Sequence, residues 1–351
     1  MTHAPVLDGF RALAILIVMV SHAGLGKFVP GGFGVTIFFF LSGYLITSLL
    51  RIEAANTGKI DIPAFYMRRT IRIFPPLYIT GGIVAALCIN GMLDNSISGQ
   101  MVLLDGLFLT NYSHLTLDNF GQSLPMPLWS LDVEEHFYLI FSTVFALVVG
   151  RLAPAKAAMW CAIACGAILM VRVANVVLLS DFSQNYYWSH TRMDSILFGC
   201  VLAMWNNPAI DRDAWRPKLW HVGAALVTLV LCLVVRNPVF RETIRYTLQG
   251  IALFVLFAAA LQNKGIVARV LGSTPLRWIA LISYTLYLIH LPLLLIFYRY
   301  QVPGAALFGI AAAVIYSTLM YLAVERPLGE WRRKRNSKRS AVDTQPAMQG
   351  N

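Results

Sequence analysis

The chain has 351 residues, of which 58% are hydrophobic and only 13% are charged, and its mean hydropathy is +0.65. A soluble globular domain of this length needs far less apolar surface, so the composition excludes an ordinary soluble enzyme. The net charge of +11 requires no nucleic-acid partner, because Lys and Arg collect in cytoplasmic loops beside anionic membrane lipid. The sequence therefore predicts an all-α, polytopic membrane protein.

Apolar runs near the spanning length of about 20 residues recur along the whole chain and predict about ten transmembrane helices. The predicted spans are 10–26, 33–50, 75–93, 134–150, 157–179, 192–206, 219–235, 246–262, 279–298 and 304–324. The apolar run 101–112 is too short to cross, so we expect a re-entrant or interfacial helix there. With both termini in the cytoplasm, cytoplasmic segments hold 21 of the 28 Lys and Arg residues, which agrees with the positive-inside rule.

Residues 1–327 are predicted to form one membrane domain, and the basic segment 328–351 a disordered cytoplasmic tail. The first apolar run lacks a basic leader and a small-residue cleavage site, so we expect no cleaved signal peptide. The five cysteines have no C-x-x-C spacing, so we expect neither disulfide bonds nor a metal site.

The first span contains two ionisable side chains, Arg11 and His22, eleven residues apart. Eleven residues make three helical turns plus about 20°, so the two side chains share one face and lie roughly 16 Å apart. Either residue alone could be a snorkelling anchor or a hydrogen-bonded packing contact. Together inside a bilayer they favour a functional site, with His22 as the general base.

The run FYMRRTIRIFPP precedes the third span and carries Arg68, Arg69 and Arg72 on one helical face. Arginines at this position also follow from topology alone, but their forked donors suit phosphate groups. Pro75 and Pro76 are expected to end or kink the helix and to leave a shaped entrance.

The run PLWSLDVEEHFYLIF opens the fourth span with three acids. Helix capping accounts for Ser130, Asp132 and also Glu135, but three acids and a histidine beside aromatic residues exceed what a cap needs. We predict that Glu134 orients His22, as in a catalytic dyad. The predicted acceptor-side or supporting residues are Trp129, Ser130, Glu135 and Tyr138.

Three further polar positions lie in or beside predicted spans. We expect a local ion pair between Arg192 and Asp194 at a membrane boundary. We expect a polar interhelical contact for His290, and a partner or a water-filled cavity for the deeply placed Arg172.

Seven segments taken in order resemble the acyltransferase 3 family of integral-membrane acyltransferases. They are LDGFRALAILIVMVSH, GGFGVTIFFFLSGYLI, FYMRRTIRIFPPLY, PLWSLDVEEHFYLIF, TRMDSILFGCVLA, ISYTLYLIHLPL and VERP, which together extend from residue 7 to residue 327. The resemblance implies a bacterial inner-membrane enzyme that moves an acetyl or other short acyl group from cytoplasmic acyl-CoA. The implied acceptor is a hydroxyl of an extracytoplasmic or lipid-linked carbohydrate, such as O-antigen or exopolysaccharide, and no metal is implied.

The resemblance also assigns residues. The R-x(10)-H motif of the family falls on Arg11 and His22, and its R-x-x-R motif on Arg69 and Arg72, with Arg68 and Arg11 as further candidates for the CoA phosphates. The Trp-Ser-Leu segment with its downstream acid falls on Trp129, Ser130 and Glu134. The chain departs from the family pattern at Thr36, where Asp is common, and at His136, where Gln is common.

The residues leave several alternatives open. His22 either activates the acceptor hydroxyl directly or forms an acetyl-histidine intermediate. Family members often carry an appended soluble esterase-like domain. We expect no such domain in this chain, and we therefore expect it to finish the transfer alone or with a partner. Rival readings are a transporter with an intramembrane proton relay, although no broken-helix repeat is visible, and a structural or assembly protein. The oligomeric state, the acyl chain length and the identity of the acceptor stay open.

Overall fold

The computed structural model describes residues 4–93, 97–115, 123–147, 151–179, 182–332 and 334, and its secondary-structure elements in these ranges are helices. The prediction of an all-α protein is confirmed. The α-helices are α1 (Pro5–Val20), α2 (Gly31–Thr57), α3 (Ile62–Ile89), α4 (Gly99–Gly106), α5 (Trp129–Leu147), α6 (Pro154–Leu178), α7 (Ser189–Arg192), α8 (Asp194–Trp205), α9 (Leu219–Val234), α10 (Pro238–Glu242), α11 (Ile244–Gln262), α12 (Ile266–Leu271), α13 (Thr274–Arg299) and α14 (Ala305–Met320).

Seven helices of the described chain are long and apolar enough to cross a membrane. They are α1 with its extension to Leu25, α2, α3, α6, α11, α13 and α14 with its extension to Arg332. The other three predicted spans coincide with α5, α8 and α9, of which α8 has 12 residues and α9 has 16. The protein is therefore a multi-pass membrane protein, whereas ten crossings and cytoplasmic termini stay predictions.

Two segments were not predicted to cross the membrane: the short apolar run 101–112 and the tail that begins at residue 328. The run 101–112 forms α4, whose eight residues reach only about 12 Å, followed by a tight helical turn at Thr110–Leu115. This length agrees with a helix that does not cross. The helix that follows α14 continues through Arg332, into the predicted tail, and residues 333 and 335–351 lie outside the described residues.

The expectation that Pro75 and Pro76 end the helix is wrong, because α3 runs continuously from Ile62 to Ile89 with both prolines inside it, whereas a kink there stays a prediction. Proline removes a backbone donor, but proline is tolerated inside membrane helices. The hydroxyl of Tyr284 in α13 donates to the carbonyl of Ile73, 3.0 Å away, and so joins α3 to α13 beside the prolines. The arginines of α3 therefore belong to the same rigid helix as the apolar segment that follows them.

Helix α2 lies at the centre of the bundle, since 72% of its most apolar window is buried, against 17% for α6. Two glycines permit close contacts with its neighbours. A Cβ at Gly34 would lie 2.5 Å from the carbonyl oxygen of Ala14 in α1, and a Cβ at Gly43 only 1.9 Å from that of Ile196 in α8. These close approaches require small residues at both positions of α2.

The expected ion pair between Arg192 and Asp194 is wrong. Asp194 instead pairs with Arg172, at 2.7 Å between Nη2 and Oδ2, and both side chains are fully buried. Side chains two residues apart point in different directions on a helical backbone, so Asp194 faces α6 instead of Arg192. The prediction that Arg172 needs a partner is confirmed.

Candidate active site

A cavity of about 600 Å³ surrounds the end of α1, and we call it the histidine cavity. His22 lines it together with the first residues of α2 and the segment between α9 and α11. The aromatic side chains of Trp129, Tyr186 and Tyr187 form another part of the wall. The volume lies within the range of about 300–1,000 Å³ that is typical of small-molecule sites.

A second cavity, of about 310 Å³, lies among α1, α2, α3, α5 and α13, and we call it the arginine cavity. Arg11, Arg69 and Arg72 line it, as do Glu134 and Tyr138. Three guanidinium groups with one carboxylate make a cavity suited to an anionic ligand.

The two cavities are neighbours, because Val35 of α2 and Tyr287 of α13 line both of them. At this boundary the hydroxyls of Ser130 and Tyr287 are 2.6 Å apart. The structure thus brings the arginines of α1 and α3 to one side of a shared wall and His22 to the other. Arg11 lines the arginine cavity and His22 lines the histidine cavity.

His22 lies where α1 leaves regular α-geometry. Residues Ser21–Leu25 form a wider π-helical turn, and Gly24 has a φ of 101°, which is accessible to glycine without steric cost. Such turns are frequent at functional sites. The widened turn presents the imidazole of His22 to the histidine cavity instead of packing it along the helix.

The ring partner of His22 is His290, with 2.9 Å between Nδ1 of His22 and Nε2 of His290. His290 is fully buried in α13, so the expected polar interhelical contact is confirmed and its partner is identified. The two rings are stacked with centroids 5.1 Å apart.

The surroundings of His290 fix the proton positions of both rings. Nδ1 of His290 lies 2.8 Å from the carbonyl oxygen of Tyr287 and 3.1 Å from that of Leu286. Carbonyl oxygens only accept, so this Nδ1 carries the proton and Nε2 of a neutral ring accepts. Nδ1 of His22 is then the donor, which leaves Nε2 of His22 with a lone pair. This is the tautomer that a general base requires.

The expected dyad of Glu134 with His22 is not formed. Glu134 accepts hydrogen bonds from Ser42, at 3.0 Å, and from Tyr138, at 2.7 Å, and it lines the arginine cavity. The reason is tertiary: His290 of α13 occupies the position beside Nδ1 of His22 that a carboxylate of α5 was predicted to take. Glu134 therefore faces the same cavity as the arginines.

The arginines of α3 differ in their surroundings. The guanidinium carbon of Arg69 lies 3.4 Å from the centre of the Tyr138 ring, which is a close cation–π contact. Arg72 lines the arginine cavity, whereas Arg68 is not among its lining residues and pairs with Glu53 at 3.2 Å. The structure thus gathers Arg69 and Arg72 at the cavity, together with Arg11, and leaves Arg68 beside it.

Three of the four remaining predicted residues line one of the two cavities. Trp129 lines the histidine cavity, Ser130 and Tyr138 line the arginine cavity, and half-buried Glu135 is among the lining residues of neither. Asp132 lies in the first turn of α5, as expected for an acid at a helix N-terminus, but its carboxylate accepts from the backbone N–H of Asn111, 2.9 Å away in another segment. That segment is also held by Asp105, whose carboxyl pKa burial raises above its ordinary value.

The two departures from the family pattern have defined neighbours. Thr36 accepts a hydrogen bond from Arg192 at 3.3 Å, and Arg192 is fully buried against the ring of Tyr246. His136 contacts the hydroxyl of Ser189 at 2.7 Å and is not among the lining residues of either cavity. Across the described ranges no group of three His, Cys, Asp or Glu side chains is arranged to hold a metal ion.

Comparison with known proteins gives this geometry a family. The family described as an acyltransferase domain matches residues 5–324, so the chain belongs to the acyltransferase 3 family, as its motifs predicted. It is 31% identical to YrhL of Bacillus subtilis (strain 168), named as a candidate peptidoglycan O-acetyltransferase, over 93% of this chain and 55% of that protein. It is 29% identical to the O-acetyltransferase OatA of Staphylococcus aureus (strain NCTC 8325), over 93% of this chain and 57% of OatA. The chain therefore spans slightly more than half the length of these curated relatives. No solved structure matches it.

Proposed function

We propose that the protein is a membrane O-acyltransferase of the bacterial inner membrane. It takes an acetyl or other short acyl group from acyl-CoA in the arginine cavity and passes it to a carbohydrate hydroxyl in the histidine cavity. One observation carries the proposal: a cavity with three arginines and a cavity with an unprotonated imidazole nitrogen share a wall at Val35 and Tyr287. A group-transfer enzyme needs its donor and acceptor sites to meet in this way.

On the donor side, Arg69, Arg72 and Arg11 bind the phosphates of CoA, and Arg68 assists from the neighbouring surface. Guanidinium groups bind phosphate oxygens through paired, charge-assisted hydrogen bonds. The pantetheine arm then extends along the arginine cavity toward the shared wall. The roughly 16 Å between Arg11 and His22 matches the length that such an arm must cover.

On the acceptor side, His22 acts as the general base. Nε2 takes the proton of the acceptor hydroxyl as its oxygen attacks the thioester carbonyl; the new C–O bond forms, the C–S bond breaks, and the CoA thiolate leaves and receives the proton. Trp129 lies beside the acceptor, with Ser130 and Glu135 in support. The name of YrhL supports a cell-envelope glycan as acceptor, and we favour a surface polysaccharide or its lipid-linked precursor.

His290 is the positioning residue for this base. Its Nε2 accepts a hydrogen bond from the Nδ1–H of His22, and its own Nδ1–H is directed to two backbone carbonyls of α13. The ring of His290 thereby supplies the orientation that a carboxylate supplies in other catalytic dyads. Glu134 acts on the donor side instead, where its carboxylate, held by Ser42 and Tyr138, can accept from an amide N–H of the pantetheine arm.

The test is acetyl transfer by the purified protein in lipid nanodiscs with radiolabelled acetyl-CoA and a cell-envelope glycan fraction. The wild type should consume acetyl-CoA and label the glycan, and His22→Ala should abolish both while the protein stays inserted and monodisperse. A transporter would consume no acetyl-CoA, and full activity of His22→Ala would remove the base assignment. Acid-quenched protein examined by mass spectrometry separates the two routes, because only the acetyl-histidine route adds an acetyl mass to the peptide that carries His22.

A further inference from the structure

We propose that the histidine cavity selects an acidic acceptor: it holds a phosphate or carboxylate group of the carbohydrate near the hydroxyl that receives the acyl group. The inference rests on the proposed function and adds to it the chemical class of the acceptor. It is carried by four cations in the cavity wall, Lys27, Arg236, Arg241 and Arg245, which we call the cation cluster.

The cation cluster is not neutralised by the wall that contains it. Among the described residues that line the cavity, Glu242 is the one carboxylate, so the lining carries a formal net charge of +3 with neutral histidine. Glu242 also accepts a hydrogen bond from the hydroxyl of Tyr246 at 2.7 Å, and its Oε1 lies 3.8 Å from Nη2 of Arg245. A cavity of this charge concentrates anions and stabilises a bound one.

Arg245 provides a buried donor within the cluster. Its side chain is only 10% exposed, and its buried Nε has no hydrogen-bond partner among the described residues. Its Nη2 donates to the hydroxyl of Tyr246 at 3.1 Å. A guanidinium removed from water and only partly bonded is costly, and an anionic ligand offsets that cost.

The cluster is also held in place beside His22. Arg236, in the connection between α9 and α10, donates to the backbone carbonyl of Lys27 at 2.8 Å. Lys27 follows the π-helical turn of His22 by two residues. The contact therefore joins the basic segment 236–245 to the connection between α1 and α2.

The cation cluster is also an exception to the positive-inside rule. In the predicted orientation, six Lys and Arg residues lie on the side opposite the cytoplasm, and four of them are the cation cluster. Positive charge is disfavoured on that side, so its concentration around one cavity calls for a ligand. The aromatic wall of Trp129, Tyr186 and Tyr187 offers ring faces on which the C–H groups of a sugar can stack.

The test measures binding of matched disaccharides to the protein in phosphatidylcholine nanodiscs by calorimetry. The probes are N,N′-diacetylchitobiose, its 1-phosphate, and the same disaccharide bearing a lactyl carboxylate. We expect at least one acidic probe to bind about tenfold more tightly than the neutral one, with a preference that weakens as salt is added. The phosphate and carboxylate arms identify which anion is used.

The variants locate the contact. Arg241→Gln should weaken binding of the preferred acidic probe about tenfold and leave the neutral probe within about twofold. Arg245→Lys, which keeps the charge and loses the fork, should weaken it less. The control is Arg299→Gln, an exposed arginine of the same predicted side that is not among the lining residues, and it should change neither.

Equal binding of neutral and acidic probes by the wild type would overturn the inference, as would an unchanged acidic preference in Arg241→Gln. An increased KM for acetyl-CoA in Arg241→Gln would show that the cluster binds CoA, which also overturns it. The inference would also be overturned if glycerol 1-phosphate competed for the cavity as strongly as the acidic disaccharide does, because the ligand would then be a lipid headgroup. The binding measurement needs no turnover, and it is repeated with His22→Ala. Absence of acetyl transfer would therefore count against the proposed function and not against the selection of an acidic acceptor.

Discussion

Removing the acceptor nitrogen of His290 should slow the chemical step without weakening the donor site. In His290→Leu, the Nδ1 proton of His22 loses the partner that now lies 2.9 Å away, and the lone pair on Nε2 is no longer enforced. Leaving a buried donor without a partner costs about 1–3 kcal/mol. Because His22 is exposed to its cavity, water can replace part of the bond, so we expect the lower half, about 1–2 kcal/mol. That range lowers kcat roughly 5- to 30-fold.

The matched variant is His290→Gln. The amide oxygen of Gln can reach the position of Nε2 and accept the same proton, so kcat should stay within about threefold of the wild type. Both variants should keep the KM for acetyl-CoA, because Arg11, Arg69 and Arg72 are untouched. The assay is radiolabelled acetyl transfer in lipid nanodiscs with saturating acceptor, accompanied by the midpoint of thermal unfolding in the same nanodiscs.

Two results would refute the reasoning. Full kcat in His290→Leu would show that the contact does not orient the base. An equal loss in the Leu and Gln variants together with a lower midpoint would show that His290 only packs the bundle. The pair of variants separates these roles, since packing depends on shape and orientation of His22 depends on an acceptor atom.

Three further predictions concern the donor site and the packing of the bundle. Arg72→Ala should raise the KM for acetyl-CoA about tenfold, because Arg72 lines the arginine cavity. Arg68→Ala should raise this KM less than threefold, because the guanidinium of Arg68 pairs with Glu53 beside the cavity. Equal effects of the two variants would contradict the placement of the cavity. Arg172→Leu should lower the free energy of unfolding by about 3–5 kcal/mol, because it leaves Asp194 charged and buried, and an unchanged unfolding midpoint would contradict this. Gly43→Ala should destabilise by about 1–3 kcal/mol through overpacking between α2 and α8, while Gly82→Ala, with no atom within 4 Å of its added Cβ, should be neutral in the same unfolding measurement.

The sequence anticipated features that depend on local spacing. Arg11 and His22 were assigned to one face because the helical repeat is fixed over eleven residues, and they line two cavities that share a wall. The glycines of α2 suit close packing, because a residue without a side chain lets neighbouring helix backbones approach each other. The expected pair of Arg192 and Asp194 was wrong, since residues two apart do not face each other on a helix, and Asp194 pairs with Arg172 instead.

The partners of these residues could not be read from spacing. His22 contacts His290 across 268 residues of chain, and either a carboxylate of α5 or an imidazole of α13 satisfied the same chemical requirement. The basic segment 236–245 was visible as an exception to the charge asymmetry, but its link to His22 depends on the contact of Arg236 with the carbonyl of Lys27. Both contacts depend on how the helices pack against one another, and helix packing leaves no periodic signal in a single sequence.

Hydropathy and motif order by themselves determined the membrane class, the helical architecture and the acyltransferase family, since a chain in lipid must satisfy its backbone hydrogen bonds within each helix. Only the tertiary structure decided that His22 is oriented by His290, that Glu134 faces the arginines, and that four cations surround the histidine cavity. The physical reason is that each of these contacts joins helices far apart in the chain, and their arrangement is set by the packing of whole helices against one another.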